Sequence, residues 1–274
     1  MKTVALALGG GGARGLAHIP VLEALDEMGV KPAAIAGTSI GALIGACYAA
    51  GMHGRDIRRY VIALAHNRGE VMRRLIAARA GTLADLFMGA FGQATQLDAE
   101  RFCTQFLPEA VPEDFAALKI PLIAMATDLH RREEVAFTAG ALRPALASSI
   151  AIPGLFRPVA LDNCILVDGG ATNPLPFDRL PGRADVIVAV DVFGIPDAER
   201  SDMPSAWEAM FTTLLIMGST IVAAKNKHGA PDLVIRPNVA IFRTLDFYQA
   251  SAILRTGDTV KAEVKEKLGA LLGA

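Results

Sequence analysis

The chain has 274 residues, 52% of them hydrophobic and 20% charged, and a net charge of −1. That composition supports a large buried core and excludes a disordered arm. With little net charge and 6% aromatics, the chain offers nucleic acid neither a basic field nor a stacking surface, so no nucleic-acid partner is expected.

Cys47, Cys103 and Cys164 are odd in number and lack metal or redox spacing, which reads as thiols in a reducing, cytoplasmic compartment. The apolar run Val4 to Leu8 is shorter than the about 7–15 residues of a signal-peptide core, and Arg14 follows it closely, so it reads as a first strand. The uncharged stretch Pro32 to Met52 approaches membrane-spanning length. Its Gly and Ala content and its internal serine turn instead predict a buried strand, turn and helix.

In chain order, Thr3–Leu8 is expected to be a strand and Gly9–Gly12 a glycine turn. A helix follows through Leu16, Ile19, Leu22, Leu25 and Met28, and Gly29 stops it. Pro20 lies inside that pattern, so the helix either kinks near Ala17 or becomes regular close to Pro20. Pro32 to Ala36 reads as strand two, and a helix runs from Ala42 to Ala50. Two or three helices cover Gly54–Leu107, with Asp98 as an N-cap. Further strands are expected at Ile120–Thr127, Glu133–Thr138, Cys164–Val167, Asp185–Val192 and Leu233–Ile235. Helices are expected at Leu142–Ile150, Ala206–Ala224 and Gln249–Leu272. No repeat or linker interrupts the pattern. Strands alternating with helices predict an α/β three-layer sandwich, a mainly parallel central sheet with helices on both faces. Right-handed crossovers then bring the loops after the strands to one rim.

Three of those loops carry unusual chemistry. In Gly37-Thr38-Ser39-Ile40-Gly41 the glycines permit a tight strand-to-helix turn that exposes the Ser39 hydroxyl at a helix N-terminus. An ordinary serine N-cap is the alternative. Gly10 to Gly15 fits G-x-G-x-x-G, but the acidic residue a dinucleotide site wants at the end of strand two is missing, and Leu16 stands where a P-loop would need lysine. Successive glycines can instead aim bare amides at a developing oxyanion. Arg14 either pins this loop or is solvated. Asp168-Gly169-Gly170 ends another strand, and alone Asp168 could equally form an Asx-turn or an N-cap.

Taken together, GGGGARG, GTSIG and DGGATNPLP, with Ala147-Ser148-Ser149 followed by Pro153, Phe156 and Pro158, make a chain that resembles the patatin-like phospholipases. The resemblance covers much of the first 180 residues and implies a single domain, with the C-terminal helices packed on it. It implies a lipid acyl hydrolase with Ser39 as nucleophile, Asp168 as base and an oxyanion hole from Gly10, Gly11 and Gly12. Gly37, Gly41, Arg14, Gly169 and Gly170 then support the site. It also implies a lipid ester substrate, no cofactor and no metal. Acyl transfer through the same serine and a nucleotide-binding module remain the alternatives. Of the five histidines only His228 follows Asp168, and it reads as a solvated helix end, so no histidine completes a relay.

Seven arginines between residues 55 and 79 face only Asp56 and Glu70, and Leu83, Leu86, Phe87, Met88 and Phe91 follow. This is either a solvated helix face or a surface for peripheral contact with anionic lipid, at the inner membrane surface. The stripe Trp207, Met210, Phe211, Leu214 and Ile221 is core, lines an acyl groove or touches membrane. No motif sets an oligomeric state.

Overall fold

The computed structural model describes residues 2–79, 81, 96–193 and 203–273. Leu83, Leu86, Phe87, Met88 and Phe91 and the side chain of Trp207 lie outside that description.

Eight strands form one mixed sheet: β1 (Val4–Leu8), β2 (Ala34–Thr38), β3 (Leu122–Asp128), β4 (Glu133–Phe137), β5 (Val159–Leu161), β6 (Cys164–Asp168), β7 (Val186–Val190) and β8 (Leu233–Ile235). The order is β5-β6-β3-β2-β1-β7-β8, with β4 also on β3. The segment β3-β2-β1-β7-β8 is parallel, as alternation with helices predicts. The expected mainly parallel central sheet is thus present, and the part built from β4, β5 and β6 adds antiparallel pairs that make the whole sheet mixed. β3–β4 and β5–β6 are joined by short connections in place of crossover helices, and β6 then pairs antiparallel with β3. The three-residue β5 had no counterpart among the sequence expectations.

The central strands are buried on both faces, so they read as apolar runs without alternation. Leu6 and Leu8 face a large core built with α1 (His18–Glu27), α2 (Ile40–Ala49), α6 (Leu142–Ser149), α8 (Ala250–Gly257) and α9 (Val260–Leu272). Ala5, Ala7, Ala34 and Ala36 face a thinner layer that holds Leu175, Phe177, Leu180 and Val222 of α7 (Ala206–Asn226). α3 (Gly54–His66) and α5 (Ala99–Phe106) add Ile57, Ala99 and Cys103 to the large core, and α4 (Arg68–Ala77) packs against α3 and α5 without burying a residue. Asp98 caps α5 by accepting the Arg101 amide.

Two sequence expectations change form. The first helix opens as a 3-10 turn over Gly12–Ala17 and becomes α-helical at His18, which puts Pro20 in the first α-turn, where a missing N–H is tolerated. The terminal helix is two helices, broken at Asp258 and Thr259. The uncharged stretch 32–52 is β2, a turn and α2, and it is buried throughout most of its length.

α7 is the one described helix long and apolar enough, by length and composition, to cross a membrane. Its Phe211, Gly218 and Val222 face the body, while Leu214, Ile216 and Met217 are exposed.

Candidate active site

The strand-turn-helix at Ser39 is shaped by sterics. Ser39 adopts φ 54° and ψ −125°, a region L-residues avoid at a cost of about 1–3 kcal/mol. A Cβ on Gly37 would lie 2.6 Å from the Gly41 carbonyl oxygen, and one on Gly41 would lie 2.2 Å from the Leu8 carbonyl oxygen. Only glycine fits either position, and the turn closes because both are glycine. The Ser39 carbonyl accepts from the amides of Ala42 (2.9 Å) and Leu43 (3.2 Å), the first bonds of α2.

Ser39 does not use its hydroxyl as a helix cap. Its Oγ donates to Asp168 Oδ2 at 2.6 Å. The other carboxylate oxygen, Oδ1, accepts the Gly170 amide at 2.7 Å, so Asp168 makes the local turn and the contact to Ser39 at once. Gly169 packs on β3, where a Cβ would sit 2.3 Å from the Met125 carbonyl oxygen. Both polar residues are nearly enclosed, Ser39 at 6% and Asp168 at 9% exposure. That burial pushes the Asp168 carboxyl up to about 6, against the opposing pull of the Ser39 and Gly170 hydrogen bonds. No histidine is among the hydrogen-bond partners of Ser39 or Asp168 in the described residues.

The glycine loop lies against this pair, with a Gly10 Cβ position 3.5 Å from the Ser39 Cβ. The Gly10 amide, expected to face an oxyanion, donates to the Pro174 carbonyl at 2.9 Å and is already engaged. The Ala13 amide is taken by the Thr244 carbonyl at 2.7 Å. Between them, the amides of Gly11 and Gly12 donate to no described group. Gly11 has φ 150° and Gly12 φ 59°, and a Cβ on Gly12 would lie 2.2 Å from the Thr244 oxygen.

Arg14 pins the loop. Its guanidinium donates to the carbonyls of Phe193 (2.5 Å), Phe242 (2.6 Å) and Ala240 (3.1 Å). Burial lowers its pKa from the ordinary value, and Asp246 pulls it back up. Behind the loop, His18 is fully buried, and its Nε2 lies 2.8 Å from the Gly9 carbonyl oxygen. Burial pushes this imidazole down to about 4, so it is neutral near pH 7, with the proton on Nε2 donated to Gly9.

The patatin-like phospholipase family model matches residues 6–181, the span from β1 through Asp168. This chain belongs to the patatin-like phospholipase family. An uncharacterized NTE family protein of Mycobacterium bovis is 38% identical over 192 residues, covering 70% of this chain and 49% of the relative. Lysophospholipase NTE1 of Yarrowia lipolytica is 26% identical over 280 residues, covering 94% of this chain and 19% of the relative. The chain thus spans about half the length of the mycobacterial relative and a fifth of the yeast one. Two solved structures share the fold. Human GIVD cytosolic phospholipase A2 has a TM-score of 0.52 at 14% identity, covering 99% of this chain and 60% of that chain. VipD from Legionella pneumophila has a TM-score of 0.50 at 16% identity, covering 97% and 66%.

Several residues around this patatin-like site have no role predicted from sequence, although Thr38 lies in GTSIG and Asn173 in DGGATNPLP. Thr38 Oγ1 donates to the Asn173 carbonyl (2.7 Å), and Thr127 Oγ1 to the Asp168 carbonyl (3.1 Å). The Asn173 side-chain amide donates to Glu134 (2.8 Å) and Asp178 (2.9 Å), and Lys225 at the end of α7 bonds Asp178 at 2.7 Å. Thr38 and Thr127 stand at or near strand ends, but their partners lie 135 and 41 residues away in sequence. Cys47, Cys103 and Cys164 are free thiols, and burial raises Cys47 to about 12.

Proposed function

We propose that this chain is a serine acyl hydrolase of lipid carboxylic esters, working through Ser39 and Asp168. The observation that carries the reading is the 2.6 Å bond from the Ser39 hydroxyl to a buried carboxylate, in a turn too strained to persist without a use. As Ser39 Oγ attacks the ester carbonyl, its proton passes to Asp168 Oδ2. The C=O π pair moves onto oxygen, where the free amides of Gly11 and Gly12 receive the negative charge. Collapse breaks the ester C–O bond, and the leaving alkoxide takes the proton from Asp168. An acyl-Ser39 remains. Water then attacks it while Asp168 accepts the water proton, and collapse of the second intermediate releases the carboxylic acid and returns the proton to Ser39. Burial raises the basicity of Asp168, which suits a carboxylate doing the work usually given to histidine.

The glycine loop is poorly suited to a dinucleotide. Two amides that would face a pyrophosphate are bonded to the Pro174 and Thr244 carbonyls, and Gly12 is packed against Thr244. Acyl transfer would share every step up to acyl-Ser39 and differ only in the acceptor. The reading includes a lipid ester substrate and peripheral contact with anionic lipid. The latter is supported by Arg55, Arg59 and Arg73, exposed on α3 and α4, beside exposed Met72 and Ile76. It includes a reducing, cytoplasmic location, supported by the three free thiols.

The test is labelling with a fluorophosphonate, followed by peptide mapping and assays on lysophospholipid and phospholipid. Modification is expected at Ser39, with hydrolysis falling at least about 1,000-fold in Ser39→Ala and Asp168→Asn. Hydrolysis retained in Ser39→Ala overturns the reading. Products formed with an added alcohol acceptor report acyl transfer.

A further inference from the structure

We infer that Ser149, with the two residues that follow it, is a positioning clip that holds the nucleophile and the base in register. This inference rests on the Ser39–Asp168 reading. Ser149 is the last residue of α6, and its Oγ accepts the Ser39 backbone N–H at 2.9 Å. Two residues on, the Ala151 carbonyl accepts the Asp168 backbone N–H at 3.0 Å. One short, fully enclosed segment therefore holds the main chain on both sides of the Ser39–Asp168 bond, with Ser149 and Ala151 at 0% exposure.

The geometry gives the Ser149 hydroxyl a use beyond packing. Ser39 follows Thr38, the last residue of β2 paired with β3, and its amide donates to the Ser149 side chain instead of to a strand carbonyl. The Ser39 carbonyl is fixed by α2, so the amide is the free end of the strained unit, and Ser149 supplies its only acceptor among the described residues. Without that acceptor the peptide before Ser39 can rotate toward an ordinary φ, and Oγ swings away from Asp168 Oδ2. The neighbouring Ser148 provides an internal contrast. It is equally buried, but its Oγ donates to the Pro144 carbonyl at 2.8 Å, within its own helix.

The experiment compares Ser149→Ala, Ser149→Cys and Ser148→Ala with wild type, with active enzyme counted by fluorophosphonate titration. Ser149→Cys keeps the side-chain size while replacing the oxygen by a weak acceptor, which leaves a readable variant if alanine does not fold. The expected result is a 10- to 100-fold fall in kcat (order of magnitude) for both Ser149 variants, with KM within about twofold. The rate of Ser39 labelling should fall in parallel. The acid limb of the pH–kcat profile should move upward, because the Ser39 hydroxyl bond that lowers the Asp168 pKa is loosened. Ser148→Ala is expected to lose stability alone. If the Ser149 variants keep wild-type kcat and acid limb while Ser39→Ala is inactive, the clip is overturned and the acyl-hydrolase reading stands. If Ser39→Ala is active, the underlying reading fails first.

Discussion

Ser39 and Asp168 meet because two strands running toward each other end on the same edge of β3. Met125 pairs with Thr38, the last residue of β2, and the next residue, Ala126, pairs with Asp168, the last residue of β6. The other edge of β3 is taken by β4, where Met125 pairs with Ala136 and Ala126 with Val135. Seven residues of one strand thus act as a ruler that sets two chain ends against each other, 129 positions apart in sequence.

The first prediction concerns pH. In the proposed mechanism Asp168 must be ionised to accept the Ser39 proton, and burial pushes its pKa up to about 6. Hydrolysis should therefore rise with pH through about 6 and then level off, with no second limb near 7 of the kind a catalytic histidine gives. A profile of kcat from pH 4 to 9 on a neutral ester measures this. An acid limb near 4 would remove the buried-base account.

Asp168 should also destabilise the fold that it serves. Its folded pKa lies above the ordinary 3.8, so the folded state holds the proton more tightly, and stability falls as pH rises from about 4 to 6. The difference is worth on the order of 3 kcal/mol above pH 6. Asp168→Asn should melt higher than wild type at pH 7 to 8, with the gain shrinking toward pH 4, while activity is lost. Urea unfolding at several pH values checks the sign.

Gly41 is expected to tolerate no side chain. Gly41→Ala puts a Cβ 2.2 Å from a β1 carbonyl oxygen and should cost about 2–4 kcal/mol. Gly69→Ala is the contrast. Gly69 is in α4, where the nearest atom to a new Cβ is 3.9 Å away, and there alanine should stabilise by up to about 1 kcal/mol. Thermal melts of the two variants should move in opposite directions.

Membrane contact through the basic helices predicts salt-sensitive binding to vesicles containing anionic lipid. Arg55, Arg59 and Arg73 are 71%, 74% and 72% exposed and make only surface pairs, so their replacement by glutamate should leave the fold intact. The triple variant should sediment less with anionic vesicles at low salt and equal wild type at high salt. Equal sedimentation at both salt levels would rule out this surface.

The local chemistry was legible in residue order because its causes are local. Two glycines around a serine dictate a turn that only they can make, and apolar runs such as Val4–Leu8 and Val186–Val190 declare strands buried on both faces. What could not be read was which distant group each loop would meet. The expectation of a shared rim led to the right neighbours by the wrong route, since β6 runs against β3 and reaches Ser39 from the opposite direction. The engagement of the Gly10 amide depends on a carbonyl 164 residues away, and the pinning of Arg14 on carbonyls 179 to 228 residues away. Ser149 belongs to the Ala147-Ser148-Ser149 block, but residue order does not say which of its two serines faces Ser39, and that partner is set by where α6 ends. Periodicity and turn sterics belong to neighbours in the chain and so can be read from it. Hydrogen-bond pairing between strands and loops belongs to the packed sheet, and only tertiary structure turned a serine, an aspartate and a run of glycines into one site.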